Sequence, residues 1–75
     1  MQIQKISEKI QSDNSSEVII KTNGMDLQIL GYILETFEGY CNYTTIDKKN
    51  MKVKITIPKD FRSEIKKILK YLQNF

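Results

Sequence analysis

An α+β domain of ferredoxin-like type, with two helices laid on one face of an antiparallel sheet, is the fold this sequence predicts. Three observations predict it. Lys52 to Ile57 alternates strictly, with Val53, Ile55 and Ile57 on one side and Lys52, Lys54 and Thr56 on the other, as in a strand with one buried face. Two segments, Met25–Glu38 and Phe61–Asn74, carry apolar residues at helical spacing. The order of the patterns along 75 residues is β-α-β-β-α, which makes one two-layer sandwich and leaves no room for a second domain.

The elements follow in order. Residues 1–16 form an N-terminal arm ahead of a domain spanning 17–75. In the arm, Ile3, Ile6 and Ile10 recur at spacings of three and four, as on a short helix. The alternation of Met1 and Ile3 equally permits an extra strand, and both readings stand. Ser12-Asp13-Asn14-Ser15-Ser16 is a polar, turn-forming run. Glu17–Thr22 then reads as a strand on its β-branched Val18, Ile19 and Ile20. Asn23 is placed to cap the first helix, and Asp26 suits its positive end. On that helix Leu27, Leu30, Ile33, Leu34 and Phe37 fall on one side, and Gly39 stands where a left-handed residue ends it.

Tyr40–Asp47, aromatic and β-branched, predicts a second strand, joined by the turn Asp47–Asn50 to the third as a hairpin. Pro58 removes an amide donor and ends that third strand. Asp60 is positioned to cap the last helix, whose apolar face is Phe61, Ile65, Ile68, Leu69, Leu72 and Phe75. Arg62, Lys66, Lys67 and Lys70 line its other side. The fourth strand usual after the second helix is missing. Either the arm fills that edge, or the first strand is left open at Val18–Thr22 and invites pairing with another chain.

Three pieces of this pattern occur together: Leu34-Glu35-Thr36-Phe37-Glu38-Gly39 at a helix end, Thr45-Ile46-Asp47 at a turn, and Ile57-Pro58 with Phe61 before the last helix. In these the chain resembles a small, uncharacterised bacterial domain family of about this length, over residues 17–75. The resemblance implies the ferredoxin-like fold and brings no activity with it.

Catalytic chemistry finds no foothold. There is no histidine and one cysteine, Cys41, so neither an intrachain disulfide nor a Cys/His zinc site is expected, and no cofactor is implied. Glu35 and Glu38 sit at i, i+3 but share a polar helix face. Cys41 follows a helix C-terminus, whose field disfavours a thiolate. Asn23-Gly24 is a cap and lacks the glycines of a phosphate loop. The expectation is that the chain is not an enzyme. The longest unbroken aliphatic stretch is Val18-Ile19-Ile20, so no membrane span and no signal peptide are expected, and the cytoplasm or an organelle interior is the expected location.

Binding surfaces are better marked. Opposite the core stripe of the first helix, Met25, Ile29 and Tyr32 fall together with Thr36 and no charge among them. This second stripe either contacts another chain or is covered by the arm. Together with the edge at Val18 and Ile20, it predicts a non-catalytic interaction module, a small subunit or adaptor that meets a protein partner or its own copy. The alternative comes from charge. Residues 1–47 hold three lysines against seven acids, a balance of −4, whereas residues 48–75 hold nine basic residues against two acids, a balance of +7. Lys48, Lys49, Lys52 and Lys54, with Tyr40 or Tyr43 as a stacking ring, would suit a nucleic acid, aided by Lys66 and Lys70 on the last helix. The helix lysines face away from the sheet, which would split the charge into two patches. A dimeric small-molecule regulatory domain is a third expectation.

Overall fold

Strict alternation decides which side of the sheet becomes the core. The computed structural model describes residues 2–36 and 41–74. Its elements are β1 (Gln4–Ile10), β2 (Ser16–Lys21), α1 (Gly24–Glu35), β3 (Asn42–Asp47), β4 (Lys52–Ile57), a 3₁₀ turn at Lys59–Phe61 and α2 (Arg62–Gln73). The strands make one antiparallel sheet in the order β1-β2-β4-β3. Val53, Ile55 and Ile57 of β4 are fully buried, and their partners across the central pair, Ile20, Val18 and Ser16, are buried with them. Leu30 and Leu34 of α1 and Ile65, Leu69 and Leu72 of α2 close the same cluster, so both helices cover one sheet face. Each such side chain contributes about 1.5–3 kcal/mol by leaving water.

Of the two readings of the arm, the strand is the one that forms. β1 pairs along β2 from Gln4↔Lys21 to Ile10↔Ser16, with an irregularity between Lys5 and Ser7. Its lead-in is pinned from three sides. The Gln2 amide donates to Asp26 Oδ2 (2.8 Å), the Thr22 hydroxyl donates to the Gln2 carbonyl (2.7 Å), and Gln73 Nε2 donates to the Ile3 carbonyl (3.0 Å). Ile3 itself is buried in the core, while Ile6 and Ile10 stay exposed. The hairpin turn is set by Asn14, left-handed at φ 67°, a conformation asparagine adopts more readily than most residues. Asp13 Oδ1 accepts from both the amide and the hydroxyl of Ser15.

This edge strand corrects one expectation. β2 is flanked by β1 and β4, so Val18 and Ile20 are interior core residues and present no open edge. The cap at Asn23 forms as expected, its Oδ1 accepting from the Asp26 amide at 2.8 Å. The cap at Asp60 does not. Asp60 lies inside the 3₁₀ turn, and α2 begins after Phe61 without a side-chain cap. Here Pro58 and the tight turn direct the chain into the helix, a choice the single Asp60 signal does not reveal. Gly39 and the Phe37–Glu38 end of the expected helix lie outside the described residues, as do Tyr40 and Phe75.

Ser16 is the exception in the core: fully buried, opposite Ile57, its hydroxyl has no hydrogen-bond partner among the described residues. A buried, unsatisfied hydroxyl costs free energy that an alanine methyl does not. Ser16→Ala should therefore raise stability by about 1 kcal/mol, read as a higher urea midpoint at unchanged slope. Ile55→Ala, the contrasting cavity variant, should lower it by about 2–5 kcal/mol. A destabilised Ser16→Ala would mean that the hydroxyl is satisfied in solution.

Candidate functional site

α1 is apolar on two sides, and the fold uses one. Leu30 and Leu34 are buried and Leu27 and Ile33 pack against them. On the other side Met25, Ile29 and Tyr32 are 75%, 43% and 73% exposed. β1, the covering segment the sequence allowed for, lies instead along β2. The charges on α1 are Asp26 and Glu35, with no basic residue on the helix. The face is thus apolar with acidic margins, although Asp26 is also engaged by the Gln2 amide and Asn23 Nδ2.

Beside Tyr32 this face runs into a shallow groove of about 340 Å³ between α1 and β3, lined by Leu27, Gly31, Tyr32, Glu35, Tyr43 and Thr45. Gly31 makes the groove by its lack of a side chain, because a Cβ there would stand 2.9 Å from Tyr43 Oη. The Tyr43 hydroxyl in turn donates a long bond (3.4 Å) to Glu35 Oε1. Partial burial first, and then the carboxylate of Glu35, push its pKa above the ordinary phenol value.

That position overturns the stacking role expected for Tyr43. Tyr43 stands opposite Ile55 and faces the helices, whereas Lys52 and Lys54 occupy the alternate positions on the open face. The open face gathers a lysine that sequence reasoning left out. Lys21 stands directly opposite Lys52, and Lys54 lies opposite Ile19 and Thr44. Its signal was present in the alternation Glu17, Ile19, Lys21, but only the register brings it beside Lys52. Like charges so placed repel. Asp47, across from Lys52, is the nearby compensation, and Lys52 helps to hold its carboxyl below the usual range after the Asn50 side chain and amide. Lys48 and Lys49 are exposed at the adjoining turn.

Lys66 and Lys70 belong to the other side of the molecule, so the lysines form two patches. There Glu8, also missed by sequence reasoning, accepts from Lys5 Nζ (2.6 Å) and Lys66 Nζ (2.7 Å) with its two oxygens. No short-range pattern links Glu8 to Lys66, 58 residues away. Its side chain is only 16% exposed. The hydrogen bond from Lys5 and then that from Lys66 hold its pKa below the ordinary carboxylate value. A depressed pKa stabilises the fold above the unfolded-state pKa, and the gain disappears as pH falls through the folded-state value. The stability difference between wild type and Glu8→Gln should therefore be full above ~pH 5 and vanish in stronger acid. Urea titrations of both at several pH values check this, with Asp13 and Asp47, also depressed, cancelling in the difference. A difference that does not change with pH would contradict the ion pairs.

Cys41 is buried, and burial pushes its thiol pKa up. Among the described residues no three His, Cys, Asp or Glu side chains are grouped so as to hold a metal ion, and no helix is long and apolar enough to cross a membrane. Neither the curated proteins nor the solved structures contain a significant match to this sequence. One family does match, over residues 20–75, taking in the end of β2 and everything from α1 to α2, with β1 lying outside the match. The resemblance drawn from the helix-end, turn and Pro58 motifs is thereby placed: the chain belongs to the family described as a domain of unknown function, DUF4911.

Proposed function

We propose that this chain is a non-catalytic binding domain of ferredoxin-like type, in which β1 takes the edge position beside β2 that such a fold gives to the strand after its second helix, and that it docks another protein through α1. The observation that carries the reading is the exposure of Met25, Ile29 and Tyr32 on one uncharged helix face. Contiguous apolar exposure of this kind is costly to leave in water and marks contact surfaces. Asp26 and Glu35 at its margins favour a partner with an apolar centre and a basic rim. The Tyr32–Tyr43 groove offers that partner a recess for one side chain, as interface anchors require.

A second reading rests on Lys21, Lys52 and Lys54 on the open sheet face with Lys48 and Lys49 at its end. These would attract a polyanion such as RNA. The absence of an aromatic ring among the described residues of that face counts against base stacking.

Ile29→Asp and Tyr32→Asp, at exposed positions, should leave the fold intact by circular dichroism. They should also weaken retention of bound protein from nuclease-treated native lysate by roughly ten-fold or more, as loss of an interface anchor implies. Retention unchanged by both variants would reject the α1 face. If retention instead disappears with nuclease, falls steeply with salt and is lost on Lys52→Glu and Lys54→Glu, the second reading replaces the first.

A further inference from the structure

At the opposite edge of the sheet, the inward-facing rows run out into charge. Ile20 and Val53 continue to Lys5 on β1, and Val18 and Ile55 continue to Glu8. Apolar residues at those two positions would fill the space under α2. Lysine and glutamate lift their charged ends to the rim, and a cleft of about 270 Å³ remains between β1 and α2. Its floor is Ile3 and Leu69, with the aliphatic stems of Lys5, Lys66 and Lys70 as walls, over Val18 and Ile20, which are only 2% and 1% exposed.

The rim is not neutral. Three ammonium groups, Lys5, Lys66 and Lys70, surround one carboxylate, Glu8. Glu8 is already shared between Lys5 and Lys66, and no carboxylate among the described residues lies within ion-pair distance of Lys70. An apolar floor under a cationic rim selects a ligand with an apolar body and one negative end.

We propose that this cleft is a binding site for a small amphipathic carboxylate, its hydrocarbon part against Ile3, Leu69 and the lysine stems and its carboxylate at Lys70 and Lys66. The volume lies just below the ~300–1,000 Å³ of sites for drug-sized ligands, which restricts the class to short acyl or aryl acids. The site is separate from the α1 face and does not depend on it.

Octanoate is the probe, titrated into the isotope-labelled full chain and followed by amide chemical shifts, with acetate, 1-octanol and octylamine as controls. Saturable octanoate shifts should map to Ile3, Val18, Ile20, Leu69 and Lys70. Acetate should give none there, since it lacks the apolar body. Octanol and octylamine should bind roughly ten-fold more weakly or less, as loss of a charge-assisted bond implies. Lys70→Glu, at an exposed helix position, should weaken octanoate binding by a similar factor with the fold unchanged. The site is overturned if octanoate gives no saturable shifts, if the shifts map elsewhere, if octanol or octylamine binds as well as octanoate, or if Lys70→Glu leaves the affinity unaltered.

Discussion

The register of β2 against β4 is the constraint on which the rest of this structure depends. It sets Ser16 against Ile57, Val18 against Ile55 and Ile20 against Val53 on the helix side. Because side chains alternate faces, a slip of one residue on β4 would turn Lys54 and Thr56 toward the helices and expose Ile55. Both helices are seated by these rows, and the positions of Lys21, Lys52 and Lys54 on the open face follow from the same pairing. The core owes its definition to β4, whose apolar residues fit in only one phase and fix which face of the Val18-Ile19-Ile20 run turns inward.

Beyond the central pair, the rows change character. Toward β1 they end in Lys5 and Glu8, and toward β3 in Thr45 and Tyr43. A small domain has little apolar surface with which to cover its edges. This one finishes both with amphipathic side chains, and each edge carries a recess under its helix. The asymmetry between the two is chemical. On the β3 side a glycine admits a tyrosine ring beside an acid, whereas on the β1 side lysines gather around one shared carboxylate.

Much of the fold was legible in the sequence because its signals are local. The alternation in Lys52–Ile57, the apolar spacing in α1 and α2, and the Asn23 cap all describe their own neighbourhood, and each appears in the structure. The separation of Met25, Ile29 and Tyr32 from Leu30 and Leu34 was legible for the same reason, since helical phase alone decides it, whereas the cover of that face by the arm was left open until the pairing of β1 with β2 decided it. What escaped depends on partners distant in sequence. Val18 and Ile20 have the same local pattern whether β2 is an edge or an interior strand, and only the pairing with β1 decides. Tyr43 alternates with Asn42 and Thr44, yet the face it takes is set by Ile55 across the ladder. Asp60 carried a valid cap signal that the 3₁₀ turn after Pro58 made unnecessary.

The hydrogen bond from Gln73 Nε2 to the Ile3 carbonyl brings the last turn of α2 beside the lead-in to β1. In topological terms the segment from Ile3 to Gln73 is a ring fastened at one point by a side chain on a backbone carbonyl instead of by a peptide bond. Because the folded core already holds these residues close, a short covalent join would strain the native state little while removing loop-closure entropy from the unfolded chain. The same ring reopened at the exposed Lys48–Lys49 tip would keep every strand pair of the sheet while changing their distance along the chain. β3 and β4, now the tightest local pair, would become the most remote one. Their meeting would then pass from an early event in folding to a late one.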